Sequence, residues 1–335
     1  MSRRYFYTSL TRISDLRQQV VEPHPRPHDE WQTGDYVVGE VDNYSRIPLE
    51  IDSGRMVETA RGDLVIGALG ERAATLEAVG SWKAVGDDLA LQALTGAGLF
   101  GRATSTSVLL PELVSLRYVG HACVDGKTVR MDDFALSGKP GAIPFQIVLI
   151  VGTSMAAGKT TAARTIIRLL KEAGHKVIGA KLTGAGRHRD ILSMADAGAD
   201  AIFDFVDARL PSSICGTERF ETALDSLLAT ISRTRTDVLV AEAGASPLEP
   251  YNGDVVMRRL QDNVSCMVLC ASDPYAVIGV AHAFERQPDI VCGLATSTEA
   301  AIGLTAKLTG LPAVNVMDRA HDPKLWDLLH TSLGL

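Results

Sequence analysis

Ile147-Val-Leu-Ile-Val-Gly152-Thr-Ser-Met-Ala-Ala-Gly158-Lys159-Thr160-Thr161 is an apolar run that feeds a loop of small residues and then a helix-forming segment. Five β-favouring apolar residues in a row predict a buried strand, and Ala162–Ala173, rich in good helix formers and followed by Gly174, predicts a helix. Joined by such a loop, the two make a phosphate-binding P-loop. Small residues let backbone N–H groups close around phosphate oxygens, and the following helix N-terminus adds positive dipole. The loop atoms expected to hold a nucleotide are those of Gly152, Thr153, Ser154, Ala156, Ala157, Gly158, Lys159, Thr160 and Thr161. Lys159 reaches the outer phosphates and the Thr160 hydroxyl is an oxygen ligand suited to Mg²⁺. The spacing departs from the usual one: five residues, not four, separate Gly152 from Gly158-Lys159.

At 335 residues the chain exceeds the usual size of one hydrophobic core, so two domains are expected, each with length enough for a core. A formal net charge of −7 gives no support to a general nucleic-acid or acidic-membrane surface. No apolar run approaches a membrane span, and Met1-Ser-Arg-Arg-Tyr-Phe lacks the apolar segment of a secretory signal. The expectation is a cytoplasmic enzyme, a homo-oligomer acting on a small anionic molecule, with neither nucleic acid nor membrane as partner. Five scattered cysteines, Cys123, Cys215, Cys266, Cys270 and Cys292, indicate neither a disulfide framework nor a zinc site. Cys266 and Cys270 fall in one apolar strand, where residues four apart are separated by roughly 13 Å.

Ahead of the loop the texture is β-like. Tyr36–Val41, Leu64–Leu69 and Arg117–Val119 are short apolar runs, punctuated by Gly34-Asp35, Gly62-Asp63, Gly86-Asp87 and Asp125-Gly126, which favour turns. Ser14–Val21 and Leu89–Leu94 read as short helices, and the glycine- and serine-rich stretch around Arg102 reads as a surface loop. Residues 1–140 therefore form a small β-rich domain, with a barrel as one arrangement. Ser137–Pro144, rich in Gly and Pro, marks the boundary. From residue 145 to 335, strands and helices alternate: strands at Lys176–Ala180, Ala201–Val206, Asp237–Ala241, Ser265–Ala271, Ile290–Leu294 and Ala313–Val316, with helices at Asp190–Ala197, Glu218–Thr230, Tyr275–Phe284, Glu299–Leu308 and Pro323–Leu333. Such alternation specifies an α/β fold of the P-loop NTPase type, a mostly parallel sheet with helices on both faces and ligands at the carboxyl ends of its strands.

Three further clusters fall at predicted strand ends. Lys181-Leu-Thr183-Gly184-Ala-Gly186-Arg187-His188-Arg189-Asp190 follows one strand; a lysine there can neutralise charge on a phosphoryl group in transit, and Asp190 can hold Mg²⁺. Asp237-Val-Leu-Val-Ala-Glu242-Ala-Gly244-Ala-Ser246-Pro-Leu-Glu249-Pro-Tyr251-Asn252 ends another in a carboxylate, Glu242, the expected partner of a phosphate-bound cation. Ser272-Asp273-Pro274-Tyr275 could contact a base or cap a helix. His175 and His282 have no triad partner nearby in sequence and read as structural or surface residues.

Lys181 to Asp190 is similar to the lysine-glycine-aspartate stretch of dethiobiotin synthetase, and Leu239-Val-Ala-Glu242-Ala-Gly244 resembles that family's V-E-G-A-G segment. The same order of motifs is similar to the P-loop domain of the D-glutamate N-acetyltransferase family, through Ala201–Val206 and the stretch from Glu242 to Pro250. Both resemblances cover about residues 145–320. They imply Mg²⁺ ligands at Thr160, Asp190 and Glu242, catalytic roles for Lys159, Lys181, Asp190 and Glu242, and substrate contacts from Thr183, Arg187, Arg189, Ser246, Tyr251 and Asn252. Dethiobiotin synthetase reads adenine with an asparagine after a late strand, whereas Gly293-Leu-Ala-Thr-Ser-Thr has none, leaving ATP, GTP and acetyl-coenzyme A open as cofactors. The leading expectation is Mg-ATP-dependent phosphoryl transfer to a small anionic metabolite, by a ligase or a kinase. An acetyl-coenzyme A-dependent N-acyltransferase acting on an amino acid is the alternative. A nucleotide switch or metallochaperone is a third class.

Overall fold

The computed structural model describes residues 5–43, 45–134, 136–139, 141–244, 246–284 and 286–335. The first four residues and Pro140 of the boundary segment lie outside them. The chain divides into two compact units, one of Met1–Ser137, Ala185–Arg189 and Phe205–Gly216, the other of Gly138–Gly184, Asp190–Asp204 and Thr217–Leu335.

The first unit is built on a ring of strands. Leu64–Leu69 pairs with Tyr36–Val41, which pairs with Ser115–Val124, then Ala90–Thr95, then Leu99–Thr106. The last returns to the first through Leu99 opposite Ala68 and Phe100 opposite Leu69, so the β-rich region closes as a small barrel. Alternate residues point inward, and Val37, Val65, Leu69, Leu91, Phe100 and Leu116 fill the interior with Trp31. Each such side chain contributes roughly 1.5–3 kcal/mol by leaving water.

Leu89–Leu94 departs from its helical reading: Ala90–Thr95 is a strand, because its good helix formers find ladder partners on both sides and bury Leu91, Ala93 and Leu94. The stretch around Arg102 is also a strand, Leu99–Thr106, with Arg102 paired to Asp88 at 2.8 Å on its exposed side. Ser14–Val21 shortens to one 3₁₀ turn, Leu16–Gln18.

In the second unit six parallel strands are β1 (Gln146–Gly152), β2 (Val177–Thr183), β3 (Ala201–Asp204), β4 (Val238–Ala243), β5 (Val264–Ala271) and β6 (Ile290–Gly293), in spatial order β3-β2-β4-β1-β5-β6. The helices are α1 (Lys159–Glu172), α2 (His188–Asp196), α3 (Thr217–Arg233), α4 (Gly253–Leu260), α5 (Pro274–Phe284), α6 (Glu299–Thr309) and α7 (Asp322–Leu333). Helix α4 escaped the sequence reading, and Ala313–Val316 adds only a bridge from Ala313 to Val291 at the sheet edge. Val148, Ile150, Val238, Val240 and Val268 share one core with α1 and α7. Their neighbours of opposite parity, Leu149, Val151, Leu239, Ala241 and Leu269, are equally buried, so the sheet is covered on both faces.

Candidate phosphate-binding site

Strand β1 delivers the chain to the sheet's carboxyl edge, where residues 153–158 turn into α1. Two neighbouring strand ends hold the loop in place. Thr153 N–H donates to the Cys270 carbonyl, near the end of β5, at 3.0 Å, and the Ser272 N–H, just after β5, donates to Thr153 Oγ1 at 3.1 Å. On the β6 side the approach is closer still: a Cβ on Gly293 would stand 2.4 Å from the Ala157 carbonyl oxygen, so only glycine fits. Gly158, at φ +101°, occupies the cap position from which α1 begins, a conformation that a side chain would strain.

Lys159 opens α1 almost wholly buried, and its Nζ donates to the Ser154 carbonyl at 2.7 Å, bending back across the loop. Burial lowers its proton affinity, an effect that Glu242 opposes. One residue on, the Thr160 hydroxyl donates to Glu242 Oε2 at 3.2 Å.

The row that carries Glu242 runs across three strands. Lys181 on β2 is in register with Glu242 on β4 and with Asp204 on β3, so parallel pairing alone brings three charged side chains to one level of the sheet. All three are buried. Lys181 Nζ donates to Asp190 Oδ2, in the first turn of α2, at 2.6 Å. Burial disfavours the Lys181 ammonium, yet Asp190, then Glu242 and Asp204 outweigh it, and the lysine's proton affinity ends above its ordinary value. Burial pushes the Glu242 carboxyl up, against the attraction of Lys181 and Lys159.

Lys159, Thr160, Lys181, Asp190 and Glu242 are thus brought together in the second unit. The remaining residues named from the sequence are placed differently. Thr183 Oγ1 donates to the Gly244 carbonyl at 2.9 Å, tying the ends of β2 and β4. Ser246 N–H donates to Glu249 Oε2 at 2.7 Å within a turn. Tyr251 is fully buried and Asn252, at φ +60°, precedes α4 as its cap. Arg187 and Arg189 are exposed and belong to the first unit, where the backbone N–H groups of His188 and Arg189 donate to the buried Glu50 carboxylate. Asp204 was missed; an acidic residue in the apolar run Ala201–Val206 is the signal that identified Glu242, and it applied equally there.

Among the described residues no three His, Cys, Asp or Glu side chains group as a metal site. The chemistry of the donors nevertheless fits a hard cation: Thr160 Oγ1 and Glu242 Oε2 lie side by side as oxygen donors, whereas Asp190 is committed to Lys181. Phosphate oxygens and water would complete such a shell.

No family model and no curated protein matches the chain. Among solved structures it is similar to the signal recognition particle receptor FtsY of Elizabethkingia anophelis, at 15% identity and TM-score 0.38 over 55% of this chain and 62% of that one. It is likewise similar to a DUF1611 family protein of Anabaena variabilis, at 18% identity and TM-score 0.38 over 58% and 63%. A cell division protein FtsY of Thermotoga maritima matches at 18% identity and TM-score 0.35 over 54% and 64%. The chain therefore spans under two thirds of each of these proteins, and at such similarity none bears on its chemistry. Neither a dethiobiotin synthetase nor a D-glutamate N-acetyltransferase is among the three.

Proposed function

We propose that the second unit binds Mg-ATP through Gly152–Thr161 and transfers its terminal phosphoryl group to a small anionic metabolite. The observation that carries this reading is the convergence of Lys159, Thr160, Glu242 and the Lys181–Asp190 pair at one end of the parallel sheet. Loop N–H groups and the N-terminus of α1 cradle the phosphate chain, and a phosphate oxygen takes the place of the Ser154 carbonyl on Lys159 Nζ. Thr160 and Glu242 would hold Mg²⁺, which would supply positive charge against the phosphates. The buried Lys159, Lys181, Asp204 and Glu242 carry formally equal numbers of positive and negative charges, and the half-buried Asp190 adds a third carboxylate beside them, an arrangement that favours such a cation before a polyphosphate can enter.

Lys181, kept protonated by Asp190, supplies positive charge to the phosphoryl group as its bond to the leaving ADP oxygen breaks and a bond to an acceptor oxygen forms. Asp190 acts as a positioning residue for that ammonium. The test is ADP release from purified protein with Mg-ATP across a panel of carboxylates and amino acids; release that depends on an acceptor and disappears in Lys181→Met supports the reading, and no release with any acceptor overturns it.

One observation favours a second reading, acetyl-coenzyme A-dependent N-acylation: Glu242, with its proton affinity raised by burial, suits a base that takes a proton from the substrate ammonium and so frees the amine that attacks. There the amine nitrogen bonds to the acyl carbon as the thioester C–S bond breaks. Acylated amine formed without ATP would establish that reading in place of the first.

A further inference from the structure

Helices α5 and α6 pack beside each other, and both are apolar on the outward face as well as the inward one. Val277 and Val280 of α5 and Ile302 of α6 are buried, as the inner face of a surface helix requires. The outer face carries Tyr275 at 73% exposure, Ile278 at 48%, Leu304 at 48% and Leu308 at 42%, whereas α1 of the same unit turns Arg164 and Glu172 to solvent. Ile278 and Leu308 line one groove of about 510 Å³ between α5 and α6, so the two helices contribute to a single apolar surface. Contiguous exposed apolar surface of this kind marks contact with another molecule.

The backbone of α6 is also laid bare there. Gly303 faces outward, and a Cβ on it would meet nothing within 4 Å among the described residues; the same holds for Gly279 in α5. Glycine inside a helix is destabilising relative to alanine, and the unit's own packing gives neither position a reason for it. Close approach of a second backbone from outside does.

The charges on α6 say which backbone. Glu299, Gly303 and Lys307 are spaced four apart and form one ridge, with the glycine midway between opposite charges. Both ends of the ridge are open: Lys307 is exposed, and Glu299 is 81% exposed although its Oε1 lies 2.9 Å from His321 Nε2. Reversed end for end, such a ridge is its own complement, and ridges of this spacing interlock with their like at about 50°. A partner of one charge sign, such as a nucleic acid or an acidic membrane, would match Lys307 and be repelled by Glu299.

We propose that this face binds a second copy of the chain, α6 against α6 in antiparallel sense, about a two-fold axis that passes at Gly303. Glu299 of each copy then stands opposite Lys307 of the other, so the ion pair is made twice. Ala300, Leu304 and Leu308, the neighbouring ridge of α6, leave water together with Ile278 in both copies. The pairing does not depend on which reaction the phosphate loop serves.

Sedimentation velocity of the full chain up to about 100 μM tests it, since a dimer forms by mass action. The parent should sediment as a dimer. Gly303→Leu places a good helix former where the single chain has open space, so circular dichroism should match the parent while the dimer is lost. Glu299→Lys and Lys307→Glu each set like charges opposite one another at both contacts and should weaken dimerisation about tenfold. Mixed in equal amounts, these two variants bring opposite charges together again and should associate as tightly as the parent. A parent that stays monomeric, a dimer that survives Gly303→Leu, or a mixture no more associated than either variant alone overturns the assignment.

Discussion

Replacing Lys181 with Met removes the ammonium and keeps most of the aliphatic length, so the change isolates charge. In the parent, Nζ stands 2.6 Å from Asp190 Oδ2, with side-chain exposures of 7% and 21%. Breaking one side of a buried ion pair costs about 3–5 kcal/mol, because the surviving charge is left uncompensated. Asp190 is open enough to regain some water, which brings the expected loss to about 2–3 kcal/mol. Glu242 also loses its nearest opposing charges in part, keeping Lys159.

Hydrogen exchange suits the measurement, since a chain of two units need not unfold in one step and exchange reports β2 and β4 separately from the barrel. Their amide protection should fall about 30- to 150-fold. Adding Asp190→Asn removes the stranded carboxylate and should bring protection back to within about tenfold of the parent, whereas independent sites would simply add their losses. Turnover should fall roughly 10²–10³-fold in both variants while nucleotide affinity stays nearly constant, as expected for a contact made chiefly in the transition state. Unchanged protection in Lys181→Met, or a further loss of equal size on adding Asp190→Asn, would refute the coupling of the two residues.

Lys159→Met should weaken nucleotide binding and turnover together, since that lysine meets phosphates already in the ground state; titration with tripolyphosphate checks it. Glu242 gives a pH dependence. Its folded proton affinity lies above the unfolded value of 4.5, so its contribution to stability is full below that pH and is lost as pH rises through the folded value. Glu242→Gln should flatten that part of the stability profile measured by hydrogen exchange, and an unaltered slope would remove Glu242 as its source. Phe100→Ala, in the fully buried interior of the barrel, should cost the first unit about 3–5 kcal/mol and leave exchange in β2 and β4 as in the parent.

From residue 145 onward, all strands but Ala313–Val316 and all helices but α4 could be read from the chain because each carries its own period and stop signals. Tyr36–Val41 and Leu64–Leu69 were legible for the same reason. Ala90–Thr95 was not, since a run of Leu, Ala and Gln prefers a helix locally and becomes a strand only when Ser115–Val124 and Leu99–Thr106 supply ladders on both sides. The site divides along the same line. Gly152–Thr161 is contiguous, and its strand–loop–helix form can be read locally. Lys181, Asp204 and Glu242 lie on three strands, and their meeting at one level depends on the register β3-β2-β4, which no local pattern encodes. By itself, then, the sequence determined the six parallel strands of the second unit, the loop of small residues after the first of them and the carboxylate Glu242 at a strand end, because those properties are local. Which charges share a buried row was decided only by the tertiary structure, because parallel pairing joins residues far apart in the chain at spacings of about 5 Å.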